Sequence, residues 1–286
     1  MNPAISVIVP FRNAAAYLGD LLESLAAQEF DEPWEVVAVD NRSSDNSGTL
    51  ARGFASRLSL TVIDAQERAN ISYARNVGVQ VSRGEKLLFI DADDEVSVGY
   101  VSAMAAALDS HDLVTSRVDS DTLNPEWVRH AHGEPWQQSG IQVFFDFLPA
   151  AGANIGIKRC LFLSLGGFDE QFSTSADIAF SWHAQLSAGI RISFVESAVY
   201  RYRYRNTYRA LYRQGCSWGS ENALLYRHFR HAGMPKRSWR AGLQEWRDVI
   251  GGLLTPVEST RPALVVRLGY CVGRLMGSIK HQVVYL

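Results

Sequence analysis

The sequence predicts an α/β protein with a doubly wound, mostly parallel β-sheet and a C-terminal helical extension. Short apolar or β-branched runs alternate with amphipathic helical patterns over residues 5–118, as in sheets whose two faces are covered by helices. Two of these runs end directly in acidic residues, at the strand ends where such sheets bind ligands. Beyond residue 205 the pattern becomes helical, so we expect domains at 1–205 and 206–286.

The alternating region carries capping residues where helices are expected to begin. Asn13, Asn70 and Ser97 have side chains that accept hydrogen bonds from the first N–H groups of a helix. Gly84 follows the helix expected after Asn70 and favours its termination. The predicted strands are 5–9, 34–39, 58–63, 86–90 and 113–118, and the predicted helices are 13–28, one running to about 57, 71–82 and 97–108.

The second half returns to the sheet before it becomes helical. The expected elements are a helix from about 175 to 189, closing strands at 190–195 and 198–202, and helices at 207–231, 238–254 and 262–280. The last helix is amphipathic and contains basic residues. It suits a membrane surface, the protein's own domain or a second subunit, so peripheral membrane contact and a homodimer both stay open.

Composition excludes several classes of protein. A net charge of −2 gives no reason to expect a nucleic-acid partner. The three cysteines lie far apart and have neither disulfide-framework nor metal-site spacing, which favours a reducing compartment. The start lacks the pattern of a signal peptide, and no run of about 18 apolar residues is present to span a membrane. We therefore expect a cytoplasmic protein, with peripheral attachment to the inner face of the membrane as an option.

A cluster of acids follows the apolar run 87–90. Asp91 and Asp93 are separated by one residue, and Asp94 and Glu95 follow at once. Like charges this close favour a bound cation, and Mg2+ or Mn2+ takes one or two carboxylates together with substrate phosphates. The alternative is a solvated acidic turn after a strand. No Gly-x-Gly-x-x-Gly or Gly-Lys-Ser/Thr loop is present, which argues against a dinucleotide enzyme or a P-loop NTPase.

Four ordered segments resemble the signature of family 2 glycosyltransferases. They are Ser6–Asn13, Val39–Asp45, Ala74–Gly78 and Phe89–Asp94. The resemblance implies the GT-A fold and a nucleotide-diphosphate sugar as the donor. It covers about residues 4–205.

The resemblance also implies roles at the donor end of the site. Pro10 and Arg12 match the loop that touches the base and ribose, and Asp40 matches an acid that hydrogen-bonds the nucleoside. Asp40 has an alternative role, which is to cap the turn after its strand. Arg12 has the alternative of an ordinary surface arginine.

The remaining donor-side residues follow from the third and fourth segments. Arg75 matches an arginine near the nucleotide or its phosphates, with a surface arginine as the alternative. Asp91 matches the ribose-side acid and Ala92 lies in the same nucleotide-sugar-binding motif. Asp93 matches the metal ligand, for Mg2+ or Mn2+.

Further matches imply a sugar or acceptor pocket. Asn154 lies in one segment that resembles the family, and Gly166 and Gly167 begin a Gly-Gly-Phe-Asp-Glu turn that usually closes the sugar pocket in the family. The alternative for this turn is a tight turn without ligand contact. Trp182 and His183 are further candidates for this pocket, and a buried helix histidine is the alternative for the latter. The aromatic residues Trp127 and Trp136 are candidate carbohydrate contacts, with ordinary burial as the alternative.

The family resemblance implies that Asp177 is the general base. A sugar hydroxyl becomes a good nucleophile only when its proton is removed, so the reaction needs a base. The chain departs from the family pattern nearby, with Ala176, Ala179 and His183 in place of two acids and an arginine. The alternative for Asp177 is an acid that stabilises a helix N-terminus.

These observations predict an inverting, metal-dependent glycosyltransferase that adds one sugar to a hydroxyl acceptor, such as a glycan, a lipid-linked sugar or a secondary metabolite. Two alternatives remain: a nucleotide-binding scaffold protein on the same fold, weakened by the two alanines, and a sugar nucleotidyltransferase.

Overall fold

The computed structural model describes residues 3–132, 140–152, 154–255, 257 and 260–286. The chain forms two compact units. Unit 1 contains Met1–Asp119, Gln138–Gln142 and Pro149–Tyr202, and unit 2 contains Ser120–Gln137, Val143–Leu148 and Arg203–Leu286. The domain limits 1–205 and 206–286 stay a prediction, and unit 2 also draws on two segments from the middle of the chain.

The strands have the following bounds: β1 Ile5–Phe11, β2 Trp34–Asp40, β3 Leu60–Asp64, β4 Lys86–Phe89, β5 Glu95–Val96, β6 Leu113–Asp119, β7 Ile141–Phe144, β8 Leu148–Ala151, β9 Ile155–Lys158 and β10 Ile192–Arg201. The α-helices have these bounds: α1 Leu18–Ala26, α2 Ser47–Gly53, α3 Ile71–Val81, α4 Tyr100–Ser110, α5 Glu126–His132, α6 Arg159–Ser164, α7 Ala176–Ala188, α8 Tyr208–Phe229, α9 Trp239–Leu254 and α10 Arg261–Lys280.

The main sheet has eight strands in the order β3-β2-β1-β4-β9-β6-β10-β5, and β7 pairs with β8 in a separate two-stranded sheet. The pairs among β3, β2, β1 and β4 are parallel, and so is the pair of β6 and β10. Strand β9 runs antiparallel between β4 and β6, and β5 runs antiparallel to the end of β10. The predicted fold class, a mostly parallel α/β sheet followed by a helical C-terminal region, is confirmed.

The core of unit 1 explains the alternation in the sequence. All seven residues of β1 are buried, because helices cover both faces of a parallel sheet. Helix α1 covers one face with the apolar stripe that its spacing predicts: Leu18, Leu21, Leu22 and Leu25 are fully buried. Each such leucine contributes about 2 kcal/mol to folding through removal of its side chain from water.

Two predicted N-caps are wrong because longer-range contacts use their side chains. Asn13 does not cap α1, which begins at Leu18. It adopts a left-handed conformation with φ of 52°, and its Oδ1 accepts a hydrogen bond from the backbone N–H of Ser44 at 2.7 Å. Ser97 does not cap α4, since its Oγ accepts from the N–H of Val199 at 3.2 Å. Asn13 thereby ties the loop after β1 to the loop after β2, and Ser97 ties its loop to strand β10.

Other boundaries agree with the local chemistry. The side chain of Asn70 accepts from the N–H of Tyr73 and caps α3 as predicted. The two predicted closing strands form one strand, β10, with an irregularity between Val195 and Val199. The pattern Ile71, Ala74, Val77, Gly78 and Val81 predicts the apolar face of α3, but Val81 is 47% exposed, whereas Arg75, which lies off that face, is buried. A charged partner for Arg75, described below, makes that burial tolerable.

Unit 2 is organised around the helix pair α8 and α10, which approach so closely that backbone meets backbone. Five glycines line the contact, and a Cβ atom on any of them would lie within 2.6 Å of the facing helix's backbone. They are Gly215, Gly219, Gly269, Gly273 and Gly277. Larger side chains would keep the helices apart, so these positions fix the spacing of the pair.

Candidate active site

The loop after β4 brings together the predicted acids and one buried arginine. Arg75, in the second turn of α3, donates from Nη2 to Oδ1 of Asp91 at 2.6 Å. Its guanidinium also lies over the ring of Phe168, with 5.2 Å between its carbon and the ring centroid. Only 4% of Arg75 is exposed, so it is not the surface arginine of the alternative interpretation. It holds the first acid of the Asp-x-Asp pair in place.

Arg75 also connects Asp91 to Asp177, which lies 86 residues further along the chain. Burial alone would lower the pKa of Arg75, but the charges of Asp91 and Asp177 together raise it. A buried guanidinium needs such negative neighbours, because desolvation of an isolated charge is costly. The two carboxylates that the resemblance singled out for nucleoside binding and for base catalysis are therefore members of one electrostatic cluster.

Asp177 lies in the first turn of α7 and is partly exposed. Its Oδ1 accepts a hydrogen bond from the N–H of Ile178 at 3.0 Å. Burial raises its pKa to about 6, a shift that Arg75 and the helix N–H oppose and Asp91 reinforces. A carboxylate with a pKa near the operating pH is suited to general base catalysis. The same position also satisfies the alternative role as an acid at a helix N-terminus.

Tyr200, on β10, organises the acidic loop, although no motif in the sequence predicts this role. Its hydroxyl donates to Oδ2 of Asp94 at 2.6 Å and accepts from the backbone N–H of Asp91 at 3.2 Å. Burial, with the charges of Asp94 and Asp91, raises the pKa of Tyr200 well above its ordinary value, so the hydroxyl stays protonated and donates. Asp94 is buried and serves this contact. Glu95 begins β5, and its carboxylate lies 3.8 Å from the guanidinium of Arg201.

Asp93 lies between the buried residues Ala92 and Asp94, and is itself partly exposed. Within the described ranges no group of three or more His, Cys, Asp and Glu side chains has the geometry of a metal site. A partly exposed carboxylate beside Asp91 nevertheless fits Mg2+ or Mn2+, because such ions take their remaining ligands from water and substrate phosphates. These residues therefore suit a cation shared with a diphosphate better than a preformed protein cage.

The carboxyl ends of β1, β2 and β4 meet at one edge of the sheet. Pro10 is buried near the end of β1, opposite Val39, and Arg12 is exposed in the loop that follows. Asp40 ends β2 and is nearly buried; its Oδ1 accepts from the N–H of Ser43 at 2.8 Å. Asp40 thus caps the turn after its strand. The nucleoside-binding roles of these three residues stay predictions.

Asn154 is a buried amide between two strands. Its Oδ1 accepts from Oγ1 of Thr115 at 2.6 Å and from the N–H of Ser116 at 2.7 Å. Its Nδ2 has no hydrogen-bond partner among the described residues. These contacts hold β6 against the start of β9. A role in the sugar pocket stays a prediction.

The Gly-Gly-Phe-Asp-Glu turn is fastened to α3 beneath Arg75. Gly166 and Gly167 both have positive φ, 82° and 76°, which favours glycine. The side chain of Asn76 accepts from the N–H of Phe168 at 2.9 Å and donates to its carbonyl oxygen at 2.9 Å. The turn thereby positions Phe168 below the guanidinium of Arg75. The role of its glycines in a sugar pocket stays a prediction.

The remaining pocket candidates have structural surroundings. Trp182 is fully buried in unit 1. The ring of His183 lies 3.2 Å from the carbonyl oxygen of Leu165 and 3.2 Å from Oγ of Ser187. These placements favour packing roles, and their roles in a pocket stay predictions.

The two tryptophans predicted to contact carbohydrate lie in the middle of the chain. In unit 2, Trp127 is 40% exposed and its ring contacts Tyr208 at 5.9 Å between centroids. Trp136 lies outside the described residues.

The buried ion pair gives a first testable prediction. We expect Arg75→Ala to lower the free energy of unfolding by about 2–3 kcal/mol, because Asp91 loses its partner and Phe168 loses the group above its ring. Urea titration measures this effect. Arg57→Ala is the matched control: its bidentate pair with Glu23 is exposed to solvent, which screens the charges, so its loss should cost much less than that of Arg75. Equal costs for the two variants would contradict the assignment of Arg75 as a positioning residue.

Comparison with known proteins defines the class. The model of the family "Glycosyl transferase family 2" matches residues 6–164, and that of "Glycosyl transferase family group 2" matches residues 86–273. The matched segments contain the Asp-x-Asp loop, Arg75 and the Gly-Gly turn. The chain belongs to glycosyltransferase family 2.

Individual relatives agree with this assignment. The chain is 26% identical over 243 residues to the uncharacterized glycosyltransferase YibD of Escherichia coli, a match that covers 79% of this chain and 67% of that protein. It is 35% identical over 108 residues to the poly(ribitol-phosphate) β-N-acetylglucosaminyltransferase TarS of Staphylococcus aureus. The latter match covers 37% of this chain and only 19% of TarS.

Solved structures share the fold. The mannosyltransferase PcManGT of Pyrobaculum calidifontis, in complex with GDP-Man and Mn2+, superposes with a TM-score of 0.60 at 19% identity, covering 96% of this chain and 88% of that one. S. aureus TarS 1–349 in complex with UDP-GlcNAc gives 0.57 at 19% identity, covering 100% and 93%. At these identities the likeness establishes the fold alone. In the described part of the chain, no helix has the length and apolar character needed to cross a bilayer.

Proposed function

We propose that the protein transfers one sugar from a nucleotide-diphosphate sugar to a hydroxyl acceptor, with inversion at the anomeric carbon. The observation that carries this proposal is the cluster of Arg75, Asp91 and Asp177. It couples an acid of the nucleotide-sugar motif to a partly exposed carboxylate whose pKa is raised to about 6.

The donor end of the proposed site is the edge where β1, β2 and β4 end. There Asp40 and Asp91 accept hydrogen bonds from the nucleoside, while Pro10 and the exposed Arg12 flank the base and ribose. Arg75 acts indirectly: its hydrogen bond fixes the orientation of Asp91. Tyr200 fixes the backbone of the same loop. Two buried side chains therefore preorganise the loop before a ligand arrives, which lowers the entropy cost of binding.

Asp93 and the donor diphosphate together would hold Mg2+ or Mn2+. When bound, such an ion neutralises the negative charge that develops on the leaving diphosphate. Solved structures of the same fold contain UDP-GlcNAc, or GDP-Man with Mn2+, which supports a diphosphate donor and a divalent cation here.

Asp177 is the proposed base. It removes the proton of the acceptor hydroxyl as the oxygen attacks the anomeric carbon and the bond to the diphosphate breaks. Attack from the face opposite the leaving group gives inversion. The N-terminal end of α7 favours the ionised form through its N–H groups, while burial keeps the carboxylate basic enough to accept a proton.

The acceptor is proposed to be a glycan, lipid-linked or small-molecule hydroxyl. The family acids at positions 176 and 179 are alanines, which are 3% and 4% exposed. Without those charges, the acceptor side of Asp177 is less polar than in the family pattern. This favours an acceptor whose binding does not depend on a second acidic side chain of the protein beside Asp177.

The proposal is tested with Asp93→Asn. We expect the purified chain to show a thermal shift with one member of a panel of nucleotide-diphosphate sugars in Mn2+, and to form a glycoside with a matching acceptor. The substitution should weaken donor binding in Mn2+ by about tenfold or more, equivalent to roughly 1.4 kcal/mol, and leave binding without metal nearly unchanged.

Asp112→Asn, an exposed acid paired with Lys158, is the control and should behave as wild type. Donor binding without transfer to any acceptor would favour the scaffold alternative. Release of diphosphate from a nucleoside triphosphate and a sugar phosphate would favour the nucleotidyltransferase alternative.

A further inference from the structure

Helices α9 and α10 of unit 2 each leave an apolar stripe exposed. On α9 the stripe consists of Trp239, Leu243, Trp246, Ile250 and Leu253, which recur at helical spacing. All but Trp246 are more than half exposed. On α10 the stripe consists of Leu268, Val272, Leu275, Met276 and Ile279; the first two are half-buried and the last three are exposed. Exposed apolar side chains arranged in this way mark an interaction surface rather than scattered surface residues.

The two stripes lie on the same side of the helix pair. The helices run antiparallel, because Gly252 meets Leu264 whereas Glu245 bonds to Arg274 and Gly242 adjoins Leu286. On α9, every stripe position after Trp239 comes one residue after a position that faces α10. Position 246, for example, follows position 245. On α10 the stripe likewise follows the contact positions by one residue, such as 274 and 275. One residue is about 100° of rotation, and in antiparallel helices equal rotations lead to the same side. We call the combined surface the α9–α10 face.

The rim of the α9–α10 face is basic. Arg240 and Arg247 lie on the side of α9 that is turned away from α10, and Lys280 lies near the C-terminal end of α10 on the side turned away from α9; all three are exposed. Arg261 begins α10 and is exposed as well. The described acids of the two helices lie elsewhere: Glu245 bonds inward to Arg274, and Asp248 lies on the opposite side of α9. A guanidinium also packs on a stripe residue, with Arg240 5.6 Å from the ring of Trp239.

We propose that the α9–α10 face binds the surface of an anionic phospholipid membrane. An apolar stripe with a basic rim inserts its side chains at the boundary of head groups and acyl chains, while the cations contact lipid phosphates. A homodimer through the same face fits less well, since a two-fold axis would bring two basic rims together, and like charges across an interface oppose association. This inference is independent of the proposed catalytic function.

The test uses the full chain and sedimentation with vesicles. We expect it to bind vesicles of mixed phosphatidylcholine and phosphatidylglycerol, to bind vesicles of phosphatidylcholine alone much more weakly, and to be released by salt. The double variant Leu253→Glu/Ile279→Glu should weaken binding at least about tenfold, since two inserted side chains become charged. Both positions are exposed, so the variant should fold.

Leu163→Glu is the matched control, because Leu163 is 57% exposed in unit 1 and Leu253 is 53% exposed in unit 2. It should bind vesicles as wild type does. Sedimentation equilibrium of each protein is measured in parallel. Absence of vesicle binding by the wild type, or equal binding by the double variant, overturns the proposal. A dimer that the double variant disperses, without vesicle binding, replaces it with self-association.

Discussion

Asp177→Asn is expected to lower kcat by about 10²–10⁴-fold, the range that a positioned general base contributes. The amide is nearly the same size as the carboxylate and still accepts the hydrogen bond from Ile178, so the site keeps its shape but loses its proton acceptor. Donor binding, measured by thermal shift, should remain within a few fold of wild type. Turnover close to wild type would remove Asp177 from the mechanism.

The same substitution is expected to make the protein more stable at neutral pH. The pKa of Asp177 is raised from 3.8 to about 6 in the folded state, so the folded protein binds this proton more tightly than the unfolded chain. The stabilising contribution of the protonated group is therefore present below about pH 4 and is lost as the pH rises to about 6. Above that pH the buried charge costs about 1–3 kcal/mol, which Asn removes.

Urea titrations measure the unfolding free energy of wild type and of Asp177→Asn, without metal, at about pH 4 and pH 7.5. The difference between the two proteins isolates the contribution of this one side chain from those of other titrating groups. The variant should exceed wild type at the higher pH and approach it at the lower. Asp109→Asn is the control, because Asp109 is an exposed acid paired with Lys86. It should leave turnover unchanged and should change the free energy of unfolding by no more than about 0.5 kcal/mol. A variant less stable than wild type at pH 7.5 would show that Arg75 requires this charge more than burial opposes it.

The pH dependence of turnover follows from the same carboxylate. Because the base must be ionised to accept a proton, kcat is expected to fall below about pH 6. This loss in activity and the gain in stability arise from one cause: partial burial makes Asp177 a better base and a costlier charge. Function and stability thus oppose each other at this position, as they commonly do at catalytic sites.

The parts of the fold that local chemistry determines were predictable from the sequence. Buried parallel strands appear as short apolar runs, so β1, β2 and β4 were predicted within two residues at either end. The cap at Asn70 depends on a contact three residues away and was also correct. Asn13 and Ser97 have the same capping chemistry, but distant loops compete for their side chains. Because the competing residues lie about thirty and a hundred positions away, their contacts leave no periodic pattern in the sequence.

The candidate site divides in the same way. The acids and Arg75 were identified through resemblance to a family, and their types agree with a diphosphate ligand. What holds them was not predictable: Tyr200 reaches Asp94 across 106 positions, and Phe168 supports Arg75 from a turn expected to contact sugar. A single tyrosine or phenylalanine in an apolar strand or turn looks the same whether it fills a core or orients a loop. Only the tertiary contacts distinguish the two.

Gly273→Ala is expected to be among the most destabilising single substitutions in the chain. A Cβ at this position would lie 2.1 Å from the carbonyl oxygen of Cys216 and 2.8 Å from two further backbone atoms of that residue. Neither helix can yield by rotating a side chain, because the obstacle is backbone on both sides. The α8–α10 pair must separate, and contacts at Gly219, Gly269 and Gly277 loosen with it. We expect a loss of about 3–5 kcal/mol in unfolding free energy, beyond the usual range for overpacking.

Alanine stabilises an isolated helix relative to glycine, so the intrinsic preference acts against this expected loss. Gly251→Ala in α9 isolates that preference, since no heavy atom lies within 4 Å of its Cβ position. It should leave the protein unchanged or stabilise it by about 0.5–1 kcal/mol. Urea titration followed by far-UV circular dichroism compares the two variants in one background. If Gly273→Ala is as stable as Gly251→Ala, the helices do not pack backbone to backbone, and the glycine spacing in α8 and α10 has another origin.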